Sequence, residues 1–180
     1  MNPANNLILV GPMGSGKTSI GRRLAELLDL AFVDADRDIE LRTGAAVGTI
    51  FDCEGEDGFR ARERAAIAEL LATDGQVIAT GGGAVLDAGN RERMRQRGFV
   101  VHLDVAVEVQ LQRLARDRVR PLLQREDREQ VLRELSVRRA PLYAEVADLR
   151  FDTDGMTTTE AAAGLLHVLQ ERWQRGGMAA

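Results

Sequence analysis

Near the start of the chain, Gly11-Pro12-Met13-Gly14-Ser15-Gly16-Lys17-Thr18 is spaced to hold a phosphate. The run matches G-x-x-x-x-G-K-[ST], in which glycines let the backbone turn its N–H groups inward around an anion. It lies between an apolar strand-like run and a helix-like segment, so the positive end of that helix points at the same place. Lys17 then reaches the β- and γ-phosphates of a nucleotide, and the Thr18 hydroxyl offers an oxygen to Mg²⁺. Of 24 Lys plus Arg, only Lys17 is lysine, which suggests a position where a guanidinium fork does not fit. Nucleotide binding is expected. The loop alone does not say where the phosphate goes, because switches, motors, hydrolases and kinases share it.

Further along, charged residues are placed where an acceptor could sit. Asp34 and Asp36 follow a second apolar run two residues apart, so continued strand geometry would put both carboxylates on one side. One suits a metal-water contact and the other an acceptor hydroxyl, and either could equally cap a following helix. Arg60 and Glu63 share a helix face, with Arg64 beside them, as a ligand clamp or as an ordinary solvated ion pair. Gly81-Gly82-Gly83 follows a third apolar run. With no side chains there, a ligand can approach the backbone and use its N–H groups, although a plain flexible turn has the same composition. Arginines cluster at Arg113, Arg116, Arg118 and Arg120, and again at Arg138-Arg139. They are solvated helix faces, or cations brought by a closing flap onto the charge that phosphoryl transfer spreads over oxygen.

The elements that must position these groups follow a regular rhythm. Short apolar runs at Leu7–Val10, Ala31–Val33, Val77–Ala79, Phe99–Leu103 and Leu149–Phe151 read as strands. Helical spacing lies between them, from Ile20 to Leu28, Phe59 to Leu71, Ala88 to Arg97, Val105 to Leu114, Glu126 to Val146 and Thr159 to Trp173. Strand-helix alternation predicts an α/β fold, a central five-stranded parallel sheet covered by helices on both faces in a three-layer sandwich. We expect a single domain over 1–180, with an acceptor-binding region at about 34–64 and an arginine-rich lid at about 114–126.

Composition narrows the function classes. A net charge of −4 gives no electrostatic reason to expect nucleic acid. The single cysteine, Cys53, supports neither a disulfide framework nor a thiolate metal site. No apolar run reaches the roughly 18 residues of a membrane span, and Met1 to Asn6 lacks a secretion signal's pattern. A soluble cytoplasmic monomer without a membrane partner is expected. Cys53, His102, His167 and Trp173 stand alone and are assigned to packing or surface.

Taken together, GPMGSGKTSIGRRLA from Gly11, FVDAD from Phe32, FDCEGEDGFRARE from Phe51, TGGGAV from Thr80, RVRPLL from Arg118 and RRAPLY from Arg138 resemble the shikimate kinase family from Leu7 to about Asp152. Only the first motif is generic to nucleotide binders. The resemblance implies a phosphate-loop kinase of the nucleoside-monophosphate-kinase type that moves the γ-phosphate of ATP to the 3-hydroxyl of shikimate with Mg²⁺. It implies that Gly14, Ser15, Gly16, Lys17, Thr18 and Ser19 cradle the ATP phosphates, with Thr18 on Mg²⁺ and Asp34 holding it through water. Asp36 would bond the acceptor hydroxyl, Arg60 and Arg139 would grip the carboxylate, and Glu63 would brace Arg60. The backbone of Gly81, Gly82 and Gly83 would face the ring hydroxyls. Arg120 would reach the transferring phosphate, Arg113 would lie over adenine, and Met156 stands near the usual adenine contact. Kinases for gluconate or a nucleoside monophosphate, and a nucleotide-dependent switch, are the rival readings. A guanine switch would need an Asn-Lys-x-Asp motif, which a chain with one lysine at position 17 cannot supply.

Overall fold

A computed structural model describes residues 4–115 and 127–174. The five strands are β1 (Asn6–Val10), β2 (Ala31–Asp34), β3 (Gln76–Ala79), β4 (Gly98–Asp104) and β5 (Leu149–Asp152). All pair in parallel, in the order β2-β3-β1-β4-β5. The helices are α1 (Lys17–Leu28), α2 (Ala35–Thr43), α3 (Val47–Leu70), α4 (Ala88–Arg97), α5 (Val107–Arg113), α6 (Arg128–Val146) and α7 (Thr158–Arg172), with a short 3₁₀ turn at Ala84–Leu86. The expected five-stranded parallel sheet with helices on both faces is present.

Because successive side chains point to opposite faces, β1 feeds two cores. Leu7 and Leu9 pack with Leu24, Val101, Leu165 and Leu169 beneath α1 and α7, while Ile8 and Val10 pack with Ile67, Ile78, Met94 and Tyr143 beneath α3, α4 and α6. A strand buried on both faces reads as a continuous apolar run, which is why β1 was visible in sequence. The chain leaves β1 toward β3 and β2 on one side and toward β4 and β5 on the other. Such a switch opens a crevice at the carboxyl end of β1, where open α/β sheets bind ligands.

Two elements differ from the sequence reading. β2 stops at Asp34, and Asp36 lies in the first turn of α2, so strand periodicity is not what relates the two carboxylates. Asp34 is the N-cap, its side chain accepting from the Arg37 N–H at 3.2 Å. Helix α3 begins well before the predicted Phe59 and is interrupted at Gly55, whose φ of 70° and ψ of −175° are non-helical. A side chain is strained at that φ, so glycine makes the break possible. Across the break, Phe51 stacks on Phe59 at 4.6 Å, and with Ile39, Ile50 and Ala66 forms a small core that carries the 34–64 region.

Candidate active site

The phosphate loop bends through Gly11, Gly14 and Gly16, with φ values of 147°, 74° and 89°. All three lie in the range that glycine alone adopts readily, and Gly16 is the N-cap of α1. Lys17 Nζ donates to the carbonyls of Gly11 and Pro12 at 2.8 Å each, so the ammonium is seated along the loop's inner edge. The Ser15 hydroxyl is buried and meets no hydrogen-bond partner among the described residues. A buried hydroxyl among three glycines gives the loop a polar group that suits a polar ligand.

Beside the loop, the Thr18 hydroxyl donates to Asp34 Oδ2 at 2.6 Å. Capping occupies Asp34 Oδ1, so its other oxygen meets Thr18 at the mouth of the crevice. Two hard oxygens converging next to a phosphate cradle fit Mg²⁺, which takes few protein ligands and keeps its waters. Ser19 follows in α1 and is exposed.

The glycine turn after β3 gathers charged groups from several elements. A Cβ built on Gly81 would stand 2.8 Å from both Asp36 Oδ1 and Glu63 Oε1. One built on Gly82 would stand 3.4 Å from Arg139 Nη1 and 3.5 Å from the Gly11 carbonyl oxygen, and one on Gly83 would stand 2.6 Å from Arg60 Cζ. The three glycines therefore each face a different charged group, and the middle one also abuts the phosphate loop. Residues from α2, α3, α6 and the loop after β1 meet over the turn that follows β3, a surface without side chains.

Electrostatics within this group are uneven. Arg60 Nη1 donates to Glu63 Oε2 at 2.7 Å, with the Glu63 side chain only 1% exposed. Burial pushes the Glu63 carboxyl above the usual carboxylate range, while Arg60 and Arg139 pull against it. Burial works to lower the Arg60 guanidinium, but Glu63 and Glu56 overcome it, so its pKa sits above the ordinary value. The pair is thus a buried brace and not a solvated surface contact. Arg60 also lies over the Phe59 ring at 5.4 Å and meets the exposed Glu56 at 3.3 Å. Arg139 is buried, and its Nε has no partner among the described residues.

Arg113 donates to the carbonyl of Gly14 at 3.0 Å and to Thr153 Oγ1 and O at 3.1 and 2.7 Å. It ties the phosphate loop to the turn after β5, which carries the half-exposed Met156. The structure thus gathers Asp36, Arg60, Glu63, Arg139 and the glycine turn, and sets the phosphate loop, Thr18 and Asp34 beside them. Arg116, Arg118 and Arg120, expected in the lid region, lie outside the described residues.

Several contributors escaped the sequence reading. Tyr143 donates its hydroxyl to Gly82 O at 2.6 Å, and Thr153 anchors Arg113 while donating to Asp104 O at 3.0 Å. Tyr143 had a signal, being the chain's single tyrosine and four residues after Arg139 on one helix face. Thr153 and Glu56 had none. His102 is buried beside Tyr143, the rings stacked at 4.7 Å, and Trp173 Nε1 bonds Ala4 O at 2.8 Å, so both pack as expected. Among the described residues, no cluster of His, Cys, Asp and Glu suits a metal by itself, and no helix is long and apolar enough to cross a membrane.

Comparison with known proteins agrees with this geometry. The family model for shikimate kinase matches residues 13–170. A shikimate kinase of Stenotrophomonas maltophilia (strain K279a) is 59% identical over 175 residues, covering 97% of each chain. One from Xanthomonas campestris pv. campestris (strain 8004) is 55% identical over 174 residues, again 97% of each. Among solved structures, the shikimate kinase of Acinetobacter baumannii in complex with shikimate superposes with a TM-score of 0.91 at 49% identity, covering 94% of this chain and 95% of that one. A crevice that sets paired arginines opposite a phosphate loop, and a sequence match along nearly its whole length, lead to one assignment: the chain belongs to the shikimate kinase family.

Proposed function

We propose that the chain binds ATP at the phosphate loop and shikimate over the glycine turn, and transfers the γ-phosphate to the 3-hydroxyl to give shikimate 3-phosphate and ADP. The observation that carries this reading is the placement of Asp36 and Glu63, Arg139, and Arg60 over three successive glycines, with Gly82 against the phosphate loop. A carboxylate-bearing ring with hydroxyls fits such a surface. Two guanidinium groups take the carboxylate in charge-assisted pairs, backbone N–H groups take ring hydroxyls, and Asp36 takes the hydroxyl that reacts. Membership of the family, with the match spanning the chain, favours shikimate over gluconate, a nucleoside monophosphate or a switch role.

In this reading Asp36 accepts a hydrogen bond from the reacting hydroxyl, turns the hydroxyl oxygen toward the γ-phosphorus, and receives its proton as the new O–P bond forms and the bond from that phosphorus to the ADP oxygen breaks. Phosphoryl transfer passes through a loose transition state, so placement matters more than base strength. Lys17 and the loop N–H groups of Gly14 to Thr18 hold the phosphates and meet the charge that grows on them. Thr18 and Asp34 would hold Mg²⁺, which when bound neutralises charge on the β- and γ-phosphates. Glu63 keeps Arg60 extended toward the acceptor, and Arg113 fixes the turn bearing Met156 on the adenine side. Arg120 would reach the transferring phosphate from the lid. The working unit is one domain, with an acceptor region at 34–64 and a lid at 114–126.

Arg139→Ala tests the acceptor assignment. Losing one charge-assisted contact of about 1.5–3 kcal/mol should raise the KM for shikimate roughly 10- to 100-fold while the KM for ATP stays near its wild-type value. Steady-state kinetics with each substrate varied in turn reads the split, and an unchanged shikimate KM would remove Arg139 from the acceptor site.

A further inference from the structure

The glycine turn is satisfied on one side only. The Gly81 carbonyl accepts from the Ala84 N–H at 3.1 Å and the Gly83 carbonyl from the Leu86 N–H at 3.0 Å, both within the turn. The Gly82 carbonyl accepts from the Tyr143 hydroxyl at 2.6 Å, a contact across 61 residues of sequence. By contrast, the N–H groups of Gly81, Gly82 and Gly83 have no acceptor among the described residues. The three carbonyls are held within the protein, and the three amides keep their capacity to donate.

Of the three peptides, the one between Gly82 and Gly83 is secured by a side chain alone. Glycines on both sides remove the steric barrier to turning it over. Turned over, it would aim a carbonyl where the site otherwise offers a donor. Tyr143 opposes that rotation from a rigid seat. It is buried, and its ring stacks on His102 at 4.7 Å and 24°. Burial pushes the phenol up to about 12, with Arg139 and Arg60 pulling it down, so the hydroxyl keeps its donor proton at any working pH. Arg139 lies one turn earlier on α6 and reaches over Gly82, so a single helix face grips that residue by its carbonyl and over its α-carbon.

We propose that Tyr143 is a positioning residue for the acceptor: its hydroxyl fixes the Gly82–Gly83 peptide so that the turn presents N–H donors to the ring hydroxyls of shikimate, in register with Arg139. The inference rests on the shikimate reading above.

Tyr143→Phe keeps the ring and its stack and removes only the donor. The expected result is a shikimate KM raised roughly three- to tenfold with the KM for ATP within about twofold of wild type. Deoxy analogues of shikimate, each lacking one ring hydroxyl, separate positioning from general support. If the turn is what the ring hydroxyl reads, at least one deletion should be penalised less in the variant than in wild type. Equal penalties in both proteins, or an unchanged shikimate KM, would overturn the proposal. The native sequence gives a second measurement, because the chain's one tyrosine lets 3-fluorotyrosine place a single reporter at this hydroxyl. Its ¹⁹F resonance should move on saturation with shikimate, and a resonance indifferent to shikimate would equally overturn the proposal. Wild-type turnover of shikimate, measured alongside, tests the underlying reading separately. An inactive wild type defeats both, whereas an active wild type with an unaffected variant defeats only the role of Tyr143.

Discussion

Gly83→Ala should weaken acceptor binding without unfolding the protein. Gly83 has φ −97° and ψ −1°, a conformation that alanine adopts without strain. The obstacle is Arg60, because the added methyl would stand 2.6 Å from Arg60 Cζ. Ordinary contact begins at about 3.5 Å, so the guanidinium must retreat by about 1 Å. As the far end of a flexible side chain, Arg60 can do so, and the stability change should stay within about 1 kcal/mol, partly offset by the lower unfolded-state entropy of alanine. On the proposed function, what is lost is a directional pair with the acceptor carboxylate. A misplacement of that size, or a contact of about 1.5–3 kcal/mol forgone, corresponds to roughly 10- to 100-fold in shikimate KM. A coupled ADP-release assay with shikimate varied at saturating ATP reads this directly, and thermal unfolding checks the fold. A folded Gly83→Ala protein with wild-type shikimate KM would refute the claim that Arg60, as seated here, holds the acceptor.

Two other outcomes follow from the same geometry. Asp36→Asn should lower kcat roughly 100-fold, the low end for a positioned proton acceptor, and leave the ATP KM near wild type; full activity in single-turnover experiments would remove Asp36 from the reaction. Burial lowers the His102 pKa below its ordinary 6.5, with Lys17 and Arg150 adding to the fall and Asp104 opposing it. The unfolded chain then binds a proton that the native imidazole refuses, so stability is full above about pH 6.5 and declines as pH falls toward the folded pKa. Thermal midpoints between about pH 7.5 and 5.5 should show a slope that His102→Phe flattens, and parallel slopes would contradict this.

The phosphate loop and the sheet were legible because their signals are local. Glycine spacing, the sole lysine and an apolar β1 sit within a dozen residues, and an α/β rhythm needs only alternation. The charged groups around the glycine turn were named in the sequence through their likeness to a family, but their geometry was not. Strand periodicity suggested that Asp34 and Asp36 project together, whereas the chain changes to helix at Asp34, which caps it. Gly55 hid the first half of α3 by interrupting its period. Pairings such as Tyr143 with Gly82 and Arg113 with Thr153 depend on α6 and β5 packing against the crevice, and no spacing in the chain encodes them.

The most direct test of the central claim is ADP release from ATP and Mg²⁺ by the purified protein, with shikimate, gluconate or AMP offered as acceptor. The account predicts release that rises with shikimate alone and is lost when Mg²⁺ is chelated. Slow release indifferent to all three acceptors would leave the phosphate loop as a nucleotide site and contradict the assignment of the glycine turn to shikimate.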